Sequence, residues 1–192
     1  VEQGAACLDL VTPTHFVPQI ALALERANEA GLRIPVVYNT GSYEKADTLK
    51  RMDGLVDIYL PDMKYVSPAL AQRYSHAPDY FETASLAVEE MVRQVGEPVF
   101  DGNTGLMKKG VIVRHLVLPG CTADSKKVIR YLYQTYGDRI FISIMNQYTP
   151  IGEFLESPEL NRRVSRREYD RVVDFALELG VDCLLYTSPS PR

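Results

Sequence analysis

The chain contains no tryptophan and only three cysteines among its 192 residues. Cys7, Cys121 and Cys183 share no spacing typical of a zinc site or of a disulfide framework, so we expect a protein of the reducing cytoplasm. No apolar run approaches the roughly 20 residues that a membrane-spanning helix needs. The chain also lacks a glycine-rich phosphate loop, a His-Glu-x-x-His helix and a Gly-x-Ser-x-Gly elbow, which excludes the enzyme classes built on those motifs.

The charge of the chain is nearly balanced. Lysine and arginine number 21, aspartate and glutamate number 25, and the net charge is −4. This mild acidity argues against a nucleic-acid-binding surface. Hydrophobic residues make up 46% and charged residues 24% of the chain, which is typical of a globular protein with a sizeable core.

Both ends of the chain look unlike natural termini. The chain starts at Val1 without an initiator Met, a basic segment or an apolar leader, and a fragment has no true N-terminus on which to judge a signal peptide. Residues 183–192 resemble the translation of a sequencing adapter, and we treat them as a non-native tail beyond a domain over residues 1–182. A natural Ser/Pro tail is the alternative interpretation. Under either interpretation the tail carries no chemistry.

Short apolar runs alternate with amphipathic helical patterns along the chain. The alternation predicts strands over residues 5–11, 34–38, 55–60, 111–118 and 140–145, and helices over 17–30, 44–52, 68–74, 79–95, 125–136 and 165–179. We find no hairpin signal between these elements, so the pattern predicts an α/β protein with parallel strands. The pattern leaves open whether the strands form a doubly wound sheet or an incomplete barrel.

Polar residues follow the predicted strands, and Arg114 and His115 lie within the fourth. The carboxyl ends of parallel strands meet at one edge, where loops build binding sites. Each group also has a purely structural interpretation: His15 as a helix cap, Asn39 in an ordinary turn, and Asp62 with Lys64 as a surface ion pair. Strand alternation places Arg114 and His115 on opposite faces, so only one of them can face a cleft.

Several segments, in order, closely resemble radical S-adenosylmethionine proteins similar to pyruvate formate-lyase activating enzyme. They include Leu10–Ile20, Val36–Thr40, Val56–Tyr65, Met91–Gly96, Arg114–Gly120 and Ile144–Pro150. The resemblance covers about residues 4 to 181. It implies a partial (β/α) barrel, like an open TIM barrel, whose first βα unit is missing from this chain. The family's Cys-x-x-x-Cys-x-x-Cys motif is absent, so the chain holds no cluster ligands, and we expect a truncated gene product that is inert alone.

The resemblance also implies roles for particular residues. Positions near the methionine amine of S-adenosylmethionine would be Thr12, Thr14 and His15. Positions near its carboxylate, with a possible monovalent cation, would be Asn39, Thr40, Asp62 and Lys64. Positions near its ribose and adenine would be Arg114, His115 and Val117. The mouth through which substrate approaches would be lined by Gln147 and Tyr148.

The activity that the resemblance implies is that of a glycyl-radical-activating enzyme. In that family a [4Fe–4S] cluster cleaves S-adenosylmethionine reductively and generates a 5′-deoxyadenosyl radical. The expected partners are a protein substrate, the glycyl radical enzyme, and an electron donor such as flavodoxin or ferredoxin; neither a nucleic acid nor a membrane is expected. Two alternatives stay open: a radical enzyme acting on another substrate, and a non-catalytic α/β binding domain.

Overall fold

The computed structural model describes residues 4–182 and 184–186. These residues fall into two compact units. The first lies within Val1–Asp62 and Glu82–Val113, and the second within Met63–Phe81 and Arg114–Arg192. Of the segment interpreted as a non-native tail, residues 183 and 187–192 lie outside the description, and Leu184–Tyr186 forms a short strand.

The elements follow the predicted alternation closely, with shifted ends. The strands are β1 Leu8–Val11, β2 Val36–Thr40, β3 Ile58–Pro61, β4 Val99–Phe100, β5 Met107–Leu116, β6 Phe141–Met145 and β7 Leu184–Tyr186. The α-helices are α1 Val17–Glu29, α2 Ala46–Leu49, α3 Pro68–Ser75, α4 Tyr80–Val95, α5 Thr122–Tyr136 and α6 Arg166–Glu178. Short 3-10 turns lie at Pro13–Phe16, Lys50–Met52, Gly137–Arg139 and Pro158–Asn161.

The strands that carry the sheet are parallel and neighbours in chain order. In the first unit β1 pairs with β2, β2 with β3, and β3 with the beginning of β5, where Ile58 lies opposite Gly110. In the second unit the end of β5 is followed by β6, and β6 pairs in parallel with β7. The predicted parallel α/β architecture is confirmed.

One antiparallel pair corrects the prediction that no hairpin interrupts the alternation. Strand β4 pairs with the beginning of β5, with Val99 opposite Lys109. The connecting turn is closed by Asp101, whose carboxylate accepts hydrogen bonds from the backbone N–H groups of Asn103 and Thr104. A carboxylate that bonds the backbone two and three residues ahead stabilises a tight turn, so the segment predicted as a polar loop becomes a hairpin.

Side-chain alternation along β5 separates a covered face from a partly exposed face. In β5 the residues Val111, Val113 and His115 are buried, whereas Ile112 and Arg114 between them are only partly buried. The face predicted for α4 is buried as expected, at Ala84, Ala87, Val88, Met91, Val92 and Val95. In β5 the face of Val111, Val113 and His115 is therefore the covered one, and the face of Ile112 and Arg114 is partly exposed.

Among the helices of the described part of the chain, none combines the length and the hydrophobicity needed to cross a membrane.

Candidate functional site

The first unit brings four of the predicted site residues together at the carboxyl ends of β1, β2 and β3. The Thr12 N–H donates to the Asn39 carbonyl oxygen at 2.8 Å, and the Asp62 N–H donates to the Thr40 carbonyl oxygen at 2.9 Å. These two backbone hydrogen bonds extend the sheet by one residue beyond β1 and β3. They hold the ends of three strands in a fixed register.

The pleat of β2 sends Asn39 and Thr40 to opposite faces. Tyr38 and Thr40 are buried on the face that meets the helices, since the Tyr38 ring lies 5.5 Å from the Tyr59 ring and Tyr59 hydrogen-bonds Gln94 of α4. Asn39 lies on the other face and is only partly buried. Of the two turn residues, Asn39 is therefore the one whose side chain lies on the face opposite the helices.

The Thr40 hydroxyl belongs to a buried hydrogen-bond network that the sequence did not reveal. Its Oγ1 donates to Glu44 Oε1 at 2.5 Å and accepts from the Ser42 N–H at 3.1 Å. Tyr38 donates its phenolic proton to Glu44 Oε2 at 2.8 Å. Glu44 is 5% exposed, so a carboxylate is buried directly behind the turn that ends β2.

Burial and the nearby carboxylate determine the ionisation of the two tyrosines of this network. Desolvation and the negative charge of Glu44 raise the pKa of Tyr38 far above its ordinary value, and a side-chain hydrogen bond from Thr14 opposes that shift. The pKa of Tyr59 is raised for the same two reasons, burial first. Both tyrosines therefore remain hydrogen-bond donors throughout the physiological pH range.

Two strand ends in the first unit hold non-glycine residues in the left-handed region of the backbone. Thr12 after β1 has a φ of 52° and Ser42 after β2 has a φ of 65°. This backbone conformation costs free energy at a residue other than glycine, and it persists only where surrounding contacts stabilise it. The Ser42 hydroxyl is also buried and has no hydrogen-bond partner among the described residues. His15, in the turn that follows Thr12, is exposed.

In the second unit the residue before Lys64 is bonded to the end of β5. Met63 N–H donates to the Arg114 carbonyl oxygen at 2.8 Å, and His115 Nδ1 lies 2.8 Å from the Met63 carbonyl oxygen. Because a carbonyl only accepts, Nδ1 carries the proton, and burial lowers the pKa of His115. His115 is thus a neutral donor that fixes the segment preceding Lys64.

Lys64, Arg114 and Val117 differ in what they can offer a ligand. The Lys64 side chain is exposed, and its backbone N–H donates to the Tyr80 hydroxyl at 3.1 Å. Arg114 is partly buried on the open face of β5, whereas Val117 is fully buried on the covered face, as is His115. Of the two neighbours, Arg114 is therefore the one on the partly exposed face of β5, and His115 is the one on the covered face.

Gln147 and Tyr148 begin the long loop after β6. Gln147 is exposed, while the Tyr148 hydroxyl donates to the Leu160 carbonyl oxygen at 2.9 Å and so ties the loop to a 3-10 turn. Arg73 holds the same loop from α3, donating to the Ser157 hydroxyl at 3.0 Å and to the Glu156 carbonyl oxygen at 2.7 Å. Gln147 is therefore exposed at the surface, whereas the Tyr148 hydroxyl is used in a hydrogen bond that holds the loop.

The arrangement of parallel strands, helices and polar strand ends matches a solved structure. A crystal structure of a domain of pyruvate-formate lyase-activating enzyme from Bacteroides vulgatus is similar with a TM-score of 0.66. The match covers 96% of this chain and 99% of that one, at 12% sequence identity. This chain has the fold of that domain.

The sequence comparisons are less specific. An uncharacterized protein of Methanocaldococcus jannaschii is 26% identical over 172 residues, which is 87% of this chain. The chain spans 45% of the length of that curated relative. No family model matches the chain.

The described residues do not fit an iron–sulfur cluster. The free cysteines among them, Cys7 and Cys121, stand alone, and no group of three or more His, Cys, Asp or Glu side chains in that part of the chain is arranged to hold a metal ion. The fold thus resembles an activating-enzyme domain, while the donor set of a cluster is not present in the residues described.

Glu44 is the site residue that sequence reasoning missed. It was assigned to the start of a helix over 44–52, where an acidic first turn is ordinary. The available signal was its position four residues after Thr40, close enough for a carboxylate to reach back to the strand end. Only the structure shows that it is buried, because the sequence does not specify the conformation of Gly41 to Tyr43.

Proposed function

We propose that this chain is part of a radical S-adenosylmethionine enzyme of the glycyl-radical-activating type, and that its role is to bind that cofactor. The observation that carries the proposal is the match, over nearly the whole chain, to a domain of pyruvate-formate lyase-activating enzyme. The polar strand ends support it, since sites in parallel α/β folds form there. The proposed protein substrate is a glycyl radical enzyme, and the proposed electron donor is a flavodoxin or a ferredoxin.

In the first unit, the proposal assigns Asn39 and Asp62 to the cofactor. Asn39 offers an amide on the open face of β2, and Asp62 follows β3 in the adjacent position. The oxygens of an amide and a carboxylate suit a monovalent cation beside the methionine carboxylate. Thr12 and His15 at the end of β1 stay candidates for the methionine amine, and Thr14, whose side chain hydrogen-bonds Tyr38, would act indirectly. The Thr40 hydroxyl is engaged by Glu44, so Thr40 would act through its backbone.

In the second unit, the proposal assigns Lys64 and Arg114. The exposed Lys64 ammonium is a point charge suited to a carboxylate, and the Arg114 guanidinium offers several donors to ribose hydroxyls or to the same carboxylate. His115 and Val117 would act indirectly, because both are buried on the covered face of β5. Gln147 remains the proposed surface contact for substrate.

The chemistry of the cluster is not assigned to this chain. S-adenosylmethionine bound to a reduced [4Fe–4S] cluster supplies a 5′-deoxyadenosyl radical in the family that the sequence resembles. The described residues lack a cysteine set for such a cluster, so the steps that this chain itself can perform are binding and orienting the cofactor.

Calorimetric titration of S-adenosylmethionine into the chain tests the proposal. A few charge-assisted hydrogen bonds without a cluster predict weak binding, with a dissociation constant of about 1 mM. Lys64→Ala should weaken that binding by about three- to tenfold, because an exposed ammonium contributes less than a buried one. Lys127→Ala, an exposed lysine on α5, is the matched control and should bind as wild type does.

Two results would contradict the proposal. If S-adenosylmethionine releases no heat at millimolar concentration, the chain does not bind the cofactor. If Lys64→Ala and Lys127→Ala bind equally well, the assignment at the end of β3 is wrong.

A non-catalytic α/β binding domain is the second candidate, favoured by the missing cluster ligands among the described residues. Recovering the DNA upstream of the codon for Val1 separates the candidates. A Cys-x-x-x-Cys-x-x-Cys motif there supports the enzyme, and a start codon without that motif supports the binding domain.

A further inference from the structure

We propose that the buried carboxylate of Glu44 is the positioning residue of the turn that presents Asn39. The inference rests on the proposed function, since Asn39 is the side chain assigned there to the cofactor. Glu44 is buried on the covered side of β2 and bonds Tyr38 and Thr40, so it acts through these two residues.

Glu44 contacts both neighbours of Asn39 in the chain. Oε2 accepts the Tyr38 proton at 2.8 Å and Oε1 accepts the Thr40 proton at 2.5 Å. Because both hydroxyl protons go to one carboxylate, the residues on either side of Asn39 are held to the same anchor. Turning the Asn39 backbone so that its side chain faces the covered side would break these bonds.

The hydrogen bonds of the neighbouring strands extend this anchor. The Asn39 carbonyl oxygen accepts from the Thr12 N–H at 2.8 Å, and the Thr40 carbonyl oxygen accepts from the Asp62 N–H at 2.9 Å. A displacement of Asn39 and Thr40 would therefore break the hydrogen bonds at the ends of β1 and β3 as well. One side chain thus holds the polar ends of three strands.

The chemistry of Glu44 distinguishes it from an ordinary buried acid. No ion pair to Glu44 is found among the described residues, and its bonds come from two neutral hydroxyls. Glu90, the other buried glutamate of this unit, is instead held by the Arg93 guanidinium at 2.8 Å and by the Gln94 amide at 2.7 Å. Burying a carboxylate beside neutral donors costs free energy that an apolar residue would avoid, so its contribution lies in directing its partners.

Amide hydrogen exchange tests the anchor directly. In Glu44→Ala the Thr12 and Asp62 amides should exchange on the order of tenfold faster, because both bond to the backbone that Glu44 holds. Glu44→Gln keeps one acceptor oxygen and should restore part of the protection. Glu90→Gln, which removes a buried charge away from the turn, should leave the Thr12 and Asp62 amides as protected as in wild type.

Titration of S-adenosylmethionine into the same variants tests the positioning role. Glu44→Ala should bind about tenfold more weakly than Glu90→Gln when the two are compared at a temperature where both are fully folded. A merely structural role predicts equal affinity for these two variants. The conservative variant Glu44→Gln should lie between wild type and Glu44→Ala.

Each outcome decides a different claim. Unchanged exchange at Thr12 and Asp62 in Glu44→Ala overturns the anchor, and faster exchange with wild-type affinity overturns the positioning role. Faster exchange in a chain whose wild type does not bind S-adenosylmethionine leaves the anchor supported and contradicts the proposed function instead.

Discussion

His115 illustrates how one buried side chain can couple a strand to the loop beside it. It is 2% exposed, its Nδ1–H donates to the Met63 carbonyl oxygen, and its Nε2 has no hydrogen-bond partner among the described residues. Desolvation by burial lowers its pKa, and the hydrogen bond to Met63 and the charge of Asp124 oppose that shift. The folded state therefore favours the neutral imidazole.

The lowered pKa of His115 predicts how stability depends on pH. The unfolded chain binds a proton to this histidine at about pH 6.5, while the folded chain binds it only at lower pH. The stabilisation is therefore present above about pH 6.5 and is lost as the pH falls toward the folded value, by at most about 1.4 kcal/mol per pH unit. Chemical unfolding of the chain between about pH 7.5 and 5 measures this slope.

Substitution separates His115 from the other titrating groups. His115→Asn keeps a side-chain N–H and does not titrate. The free energy of unfolding of this variant should therefore be lower overall and should change less with pH across this range. His76→Asn, at an exposed histidine of the same unit, is the control and should keep the wild-type slope. A wild-type slope in His115→Asn would show that this histidine is not the titrating group.

At the same scale, the sequence predicted that either Arg114 or His115 would face a cleft, because strand alternation permits only one. It could not say which, since that depends on which face of β5 the helices cover. Because the sequence does not show which face the helices cover, Asn39 and Thr40 were both predicted to lie near the cofactor. Adjacent residues of a strand end look equivalent in a motif, yet only Asn39 faces the open side.

At the scale of elements, helices were predicted most closely. Helix α1 was expected over 17–30 and spans Val17–Glu29, and α6 was expected over 165–179 and spans Arg166–Glu178. The apolar periodicity and the end signals of these helices depend only on nearby residues, so both can be recognised in the sequence. In α6 the Ser165 side chain accepts from the Glu168 N–H, and Glu168 reaches back to the Ser165 backbone.

The turn of the β4–β5 hairpin has a local signal at Asp101, but the hairpin was missed because its first strand has none. Strand β4 is two residues long, and its Val99 and Phe100 are both substantially exposed, so no apolar pattern marks it. Gly110 in β5 has a φ of 142°, and a Cβ at this position would lie 3.1 Å from the Pro98 Cα. The close approach of two backbones at a glycine is what allows the hairpin to fold onto the strand.

Gly110→Ala should therefore destabilise the first unit. The backbone conformation and the contact with Pro98 both oppose a side chain, and we expect a loss of about 1–3 kcal/mol in the free energy of unfolding. Gly102→Ala is the matched control, because a Cβ there would meet no atom within 4 Å. Equal stability of the two variants in urea unfolding would contradict this account of the hairpin.

At the scale of the whole chain, β1 is a sheet edge. It pairs with β2 on one side, and no second partner strand is found for it among the described residues. Val11 and Phe16 next to this edge are 68% and 61% exposed. An open edge beside exposed apolar side chains invites pairing with another molecule.

The exposed edge predicts self-association of the chain in solution. Sedimentation velocity at increasing concentration should detect it, and Val11→Lys should reduce it by placing a charge on the edge. Leu177→Lys, at an exposed leucine of α6, is the control and should leave association unchanged. A chain that stays monomeric at every concentration would show that the β1 edge does not mediate self-association.

The overall architecture could be predicted from the sequence because alternating strands and helices admit few topologies. The positions of the polar strand ends could be predicted for the same reason. The hydrogen bonds between those ends could not be predicted, because the bonds from Thr12 to Asn39 and from Asp62 to Thr40 join residues far apart in the chain. The buried Glu44 depends on the same tertiary register.

The most direct test of the account is nuclear magnetic resonance of the isotopically labelled chain during titration with S-adenosylmethionine. If the chain is the cofactor-binding part of an activating-type enzyme, the largest shifts should fall at the carboxyl strand ends, at Thr12, Asn39, Asp62, Lys64 and Arg114. The N-terminal ends of the same strands, Leu8, Val36 and Ile58, should be unaffected. No shifts at millimolar cofactor, or shifts centred on those N-terminal ends, would contradict the central claim.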